Sequence, residues 1–106
     1  MSGQVLDNPV ESRYEVFFEG QLSGFALYRL HGDRIAMYHT EIEPEFEGEG
    51  LGGELARGAL SDVRSRGLMV EPLCPFIAAF IRQRPDEYLD LVVPEMRDEV
   101  TNQSHI

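Results

Sequence analysis

His39-Thr40-Glu41, then Gly48-Glu49-Gly50-Leu51-Gly52-Gly53, then Leu73-Cys74-Pro75-Phe76: these three strings, set along residues 39 to 76, decide the fold. The first ends an apolar run from Ile35 to Ile42 that reads as a strand. Glu43-Pro44-Glu45-Phe46-Glu47 stops it. The second holds four glycines in six residues and opens a stretch in which Leu51, Leu55, Ala59 and Val63 recur every four residues, widened by Ala56 and Leu60. That spacing predicts an amphipathic helix from about Leu51 to Arg66, closed by Gly67. Glycines just before a helix let backbone N–H groups approach an anion unobstructed. The helix start adds unpaired donors and a positive dipole end, so a phosphate is the natural ligand. A structural turn with a helix cap is the plainer reading of the same run.

Outward from that stretch, the N-terminal half reads as strands. Residues 1–12 are polar and form an expected flexible lead-in. Tyr14, Val16 and Phe18 alternate with Glu15, Phe17 and Glu19, Gly20-Gln21 marks a turn, Leu22 to Leu30 forms a second strand, and His31-Gly32-Asp33 turns into the third. The result is an antiparallel meander. On the third strand, period-two alternation puts Ile35, Met37, His39 and Glu41 on one face. Gly58 inside the helix costs about 1 kcal/mol relative to alanine, which points to close backbone packing there.

Downstream, Leu68-Met69-Val70 is a short buried strand. A strand, a helix and a strand in that order favour parallel pairing of the third and fourth strands. Pro75 suits a first helical turn, with Phe76/Phe80 and Ile77/Ile81 four residues apart. Tyr88 to Val93 reads as a final short strand or pairing segment, and residues 94–106 as a disordered tail. The domain is expected over 13–93. The fold class is therefore α/β (α+β): an antiparallel meander, a β-α-β unit with parallel pairing, and a C-terminal helix.

Composition narrows the chemistry. The 106 residues are 42% hydrophobic, enough for one small domain. The net charge is −10, from nineteen acidic residues against nine arginines and no lysine. Such a chain is a poor nucleic-acid binder and suits a cationic substrate better than an anionic one. Without lysine there is neither a Gly-Lys-Ser/Thr phosphate loop nor a Schiff base. The single cysteine, Cys74, forms no internal disulfide and no zinc cluster, so no metal site is expected. Met1 to Val10 has no signal-peptide character and no apolar run nears a membrane span, so a cytoplasmic location and no membrane partner are expected.

Gly48-x-Gly50-x-x-Gly53 literally matches a dinucleotide fingerprint, with Glu71 near the distance of its acidic partner. The context argues against it: Pro44 to Glu47 separate the loop from its strand, and the preceding strands are antiparallel. The order of elements instead resembles the GNAT acetyltransferase superfamily, whose loop reads Gln/Arg-x-x-Gly-x-Gly/Ala; the stretch here is Glu47-Gly48-Glu49-Gly50-Leu51-Gly52. With His39-Thr40-Glu41 and Pro72-Leu73-Cys74-Pro75-Phe76 the chain looks like a family of very small, truncated GNAT-like acetyltransferases, over roughly Arg13 to Val93.

That resemblance implies acetyl-CoA as cosubstrate and an unknown acceptor, expected to be a small-molecule or peptide amine. It implies a pyrophosphate held by Gly48, Glu49, Gly50, Leu51, Gly52 and Gly53, and third and fourth strands that splay to admit the pantetheine arm. Glu47 departs from the superfamily's Gln or Arg, which leaves the binding to backbone donors. Phe80 stands in the helix where many of these enzymes carry an acidic tyrosine. His39 and Glu41 are candidate bases for the amine proton, although a strand histidine by default makes a structural hydrogen bond. Cys74, by default a small buried hydrophobe, becomes under the resemblance a candidate acetyl carrier at a helix start. Arg57, Arg64, Arg66, Arg82 and Arg84 are candidates for the coenzyme's 3′-phosphate, one or two at most. The alternative function is a coenzyme A-binding or interaction module without transferase activity; oligomeric state stays open.

Overall fold

Five strands hydrogen-bond in the order of the chain, β1 (Gln4–Asn8), β2 (Arg13–Phe18), β3 (Gln21–His31), β4 (Arg34–Ile42) and β5 (Met69–Pro72), in a computed structural model that describes residues 3–102. The first four pair antiparallel and β4 pairs with β5 in parallel. The crossover between them carries α1 (Leu51–Ser65). After β5 the chain enters α2 (Pro75–Arg82), then a single turn α3 (Pro85–Tyr88), 3₁₀ turns, and α4 (Arg97–Thr101). This is the α+β architecture, with the meander, the parallel β-α-β unit and the helix from Pro75 all as the sequence pattern predicts.

α1 lies on one face of the sheet because its stripe, Leu51, Leu55, Ala56, Ala59, Leu60 and Val63, is buried against β-strand positions Tyr14, Val16, Ala26, Tyr28, Ile35 and Met37. The lost apolar surface is the main stabilising term, at about 25 cal/mol per Å² removed from water. Gly58 is where α1 meets β1: a Cβ there would stand 2.6 Å from Val5 Cβ. A second tie is polar. Tyr14 and Tyr28 donate to Asp62 and Asp7, each at 2.6 Å, and Arg66 bonds Asp7, Asp62 and Tyr14.

Three stretches differ from the sequence expectation. Residues 4–8 are not a flexible lead-in but the edge strand β1, held by Val5 against Gly58 and by the Asp7 pairs, contacts made by residues far along the chain. Residues 94–102 are not disordered: Val100 is 2% exposed in the core, and Arg97 donates to the Val92 carbonyl at 2.9 Å. The expected disorder of residues 103–106 lies outside the described residues, as do Met1 and Ser2. Within 88–93, helical turns replace the predicted strand, leaving one parallel bridge, Val70 to Val92.

A fourth difference positions the site. Leu27 pairs with His39 and Tyr28 with Met37, so Tyr38 is an extra residue on β4. Such a bulge reverses the alternation beyond it. Ile35 and Met37 face α1 and are fully buried, but His39 and Glu41 do not share their face. They lie on the opposite one, where the His39 ring sits 6.3 Å from that of Phe25. Thr40 and Ile42 take the helix face instead.

Candidate functional site

The β4–β5 ladder ends at Met37 and Pro72. Cys74 N–H still donates to the Met37 carbonyl at 2.9 Å, and the chain then turns into α2. From Tyr38 to Ile42, β4 has no strand partner on that side among the described residues. Glu43 N–H donates to Ser23 on β3, so by alternation the N–H groups of Ile42 and Thr40 point to the open edge. The parted strands that the family resemblance implied are therefore present, and they expose backbone donors.

Beside this edge the glycine run makes the start of α1. Gly48 and Gly50 have φ of 91° and 79°, a left-handed conformation that costs other residues about 1–2 kcal/mol. Nothing lies within 4 Å of where a Cβ at either would be. Gly50 caps the helix without a side-chain hydrogen bond, and Glu54 N–H donates to the Gly50 carbonyl at 3.3 Å. The earlier N–H groups of the first turn have no acceptor within the helix. They face a groove of about 460 Å³ walled by Thr40, Ile42 and Phe46 on one side and by Phe76 on the other, with Gly48, Gly50, Leu51, Gly52 and Gly53 along its floor. Ile42, Phe46 and Phe76 make the lining largely apolar, Thr40 and Glu47 are its polar side chains, and the helix start supplies N–H dipoles, a pairing suited to an anion with a lipophilic arm where Glu47 turns away.

The candidate residues fall in three places, and of these only the loop lines the groove; His39, Glu41 and Cys74 are not among its lining residues. The loop residues line the groove, apart from Glu49, which is exposed nearby. His39 and Glu41 do not line it; they hold one another at 3.1 Å on the other face, each about half exposed. Cys74 stands at the start of α2, 5% exposed, with Sγ 3.4 Å from Thr40 Oγ1. Thr40 and the ring of Phe76 were missed by sequence reasoning. Both stood in quoted strings, but the bulge that turns Thr40 inward has no mark in the pattern; a Cβ on Gly52 would meet the Phe76 Cζ at 3.0 Å.

The charges near the groove are mostly negative: Glu47 lines it, exposed Glu43, Glu45 and Glu49 flank its lining residues along the chain, and exposed Glu41 lies on the opposite face of β4. Among the arginines, Arg57 pairs with Glu87, Arg64 with Asp90, and Arg66 with Asp7 and Asp62. The hydrogen bond from Arg64, at 2.9 Å, holds the Asp90 carboxyl below the usual range. Arg84 differs: it stacks 4.0 Å from the Phe80 ring centre and bonds the Phe80 carbonyl and the Gln83 amide oxygen, neutral groups. It lines a second hollow of about 310 Å³ that shares Gly53 and Phe76 with the groove. No cluster of three potential metal ligands exists among the described residues.

A family model described as GCN5-related N-acetyl-transferase matches residues 13–91. Among curated proteins, Protein NATD1 of Mus musculus is 31% identical over 70 residues. That alignment covers 64% of this chain, and this chain spans 64% of the relative's own length.

Proposed function

The chain belongs to the GCN5-related N-acetyltransferase family, and from that premise we propose that it is an acetyl-CoA-dependent acyltransferase acting on an amine. The observation that carries this reading is the uncapped start of α1 opening into the groove beside the unpaired edge of β4. The residues fit the coenzyme. Backbone N–H groups of the Gly48–Gly53 run hold the pyrophosphate, while Ile42, Phe46 and Phe76 shelter the pantetheine arm. The Thr40 or Ile42 N–H polarises the acetyl carbonyl as negative charge develops on its oxygen. Arg84 is the arginine we assign to the outer phosphate, because its partners are neutral and its hollow continues the groove.

Two routes remain for the acyl group. In direct transfer, His39 or Glu41 takes the amine proton, from the face opposite the groove. In the covalent route the Cys74 sulfur accepts the acetyl group as a thioester and the amine then displaces it. The acceptor we favour is cationic, because the exposed glutamates attract positive charge. The other reading, a coenzyme A-binding module without transfer, is favoured by Phe80, which has no hydroxyl and packs against Tyr88 and Arg84.

The test is thermal unfolding with coenzyme A and acetyl-CoA, followed by a screen of amine acceptors read as free thiol release. Stabilisation with release supports the transferase. Stabilisation by both ligands without release for any acceptor favours the binding module. A folded protein whose melting temperature ignores millimolar acetyl-CoA overturns both.

A further inference from the structure

Strict alternation along β4 would bring His39 to the helix face, beside Cys74. The extra residue at Tyr38 prevents this, and Thr40 arrives instead. Its Oγ1 is 3.4 Å from Cys74 Sγ, and the same side chain lines the groove. His39 is engaged on the other face with Glu41 and the Phe25 ring. The backbone of Cys74 is fixed on both sides, its N–H donating to Met37 O at 2.9 Å and its carbonyl accepting from Ala78 N–H at 3.0 Å. The sulfur therefore has a defined place, and the polar side chain between it and the groove is a threonine.

We propose that Thr40, not His39, is the positioning residue for the Cys74 thiol, holding the sulfur toward the groove and donating its hydroxyl proton to the sulfur once that is ionised. A hydroxyl suits both states, since it accepts from the thiol and donates to the thiolate. The bond to the ionised form is the stronger of the two. The inference rests on the covalent route described above. In that route the thiol proton passes to water in the groove and the sulfur attacks the carbonyl carbon of an acyl thioester. The bond from that carbon to the departing sulfur breaks, and the departing thiolate takes a proton from solvent.

Because Cys74 is the one cysteine in the sequence, alkylation of the coenzyme-free protein by iodoacetamide, followed by mass spectrometry, reads this sulfur alone. In Thr40→Val, which keeps the shape, alkylation near neutral pH should slow about tenfold and the rate-against-pH curve should be displaced rather than merely scaled. Thr40→Ser should restore the wild-type curve, and His39→Ala should overlay it. A role in packing alone would scale the rate equally at every pH, without displacing the curve, and would count against the proposal. So would a displaced curve in His39→Ala, or a folded wild type that resists alkylation. Thr40→Ala, with folding checked by circular dichroism, serves as the second variant if valine disturbs the strand. No coenzyme enters the assay, so failure here leaves acyl transfer standing. A displaced curve in a protein inactive as a transferase would keep the Thr40–Cys74 pairing and remove the carrier role.

Discussion

Replacing Gly52 by alanine separates the coenzyme from the fold. Unlike Gly48 and Gly50, Gly52 has ordinary helical backbone, where alanine is favoured over glycine by up to about 1 kcal/mol. The atoms nearest the added Cβ belong to the Phe76 ring, Cζ first at 3.0 Å, and Phe76 is 43% exposed, so the ring end can yield by a few tenths of an ångström. The free protein should therefore melt within a few degrees of wild type. The methyl group nevertheless stands among the groove's lining residues, where the proposed phosphate would have to approach the N–H groups closely. If the coenzyme binds as proposed, coenzyme A at about 100 times its Kd should add about 2.7 kcal/mol to the wild type. For a domain of this size that raises the melting temperature by roughly 10 °C or more. If the methyl group weakens binding about a hundredfold, the same coenzyme concentration adds only about 0.4 kcal/mol, a shift of about 2–3 °C. Differential scanning fluorimetry across a coenzyme titration reads both quantities. A Gly52→Ala protein that keeps the full shift would refute the placement of the phosphate on this floor.

Cys74→Ala decides between the two transfer routes: in the covalent one it should lose nearly all turnover, and intact-mass spectrometry of acetyl-CoA-treated wild type should find an added acetyl group that the variant lacks. If Cys74 only packs, turnover survives at a stability cost of roughly 1 kcal/mol, and the absence of lysine keeps the mass reading clean. Gly58→Ala should destabilise by about 1–3 kcal/mol, despite alanine's helix propensity, because its Cβ would stand 2.6 Å from Val5 Cβ; a chemical melt that shows stabilisation contradicts the β1 docking. Burial, then the hydrogen bond to Asp7, pushes the Tyr28 hydroxyl up to about 12. Its folded pKa thus exceeds the unfolded value near 10, so its contribution is whole below pH 10 and is lost as pH rises toward 12. Tyr28→Phe should flatten the fall in melting temperature across that window, and an unchanged slope would count against the assignment.

The parts of the molecule legible in the sequence are those whose partners are close along the chain. The stripe on α1 announces itself in Leu51, Leu55 and Ala59, and the glycine run marks the helix start and the groove floor. β1 was invisible because Gln4–Asn8 has only two apolar residues; its place depends on Gly58, Arg66 and Tyr28, which no local pattern links to it. Gly58 was nonetheless readable as a site of close packing, although not against which element. The bulge at Tyr38 was the costlier omission. Alternation carried one residue too far assigns His39 and Glu41 to the face that Thr40 and Ile42 occupy. Val100 and Arg97 lie in a short polar segment whose order comes from docking on the body of the protein, not from its own periodicity.

The unbroken strand order has a consequence for how the molecule comes into being. Each antiparallel pair from β1 to β4 joins neighbours through a short turn, so these contacts cost little loop-closure entropy and should form early. β5 reaches β4 only after the chain has passed through the glycine run and the whole of α1. The groove lies at that crossover junction. It should therefore be assembled in the final folding step, and the first excursion that detaches β5 from β4 should dismantle it while the meander stays intact. Hydrogen exchange would register this as amides of Met69–Pro72 opening before those of β2 and β3, with bound coenzyme slowing the former alone.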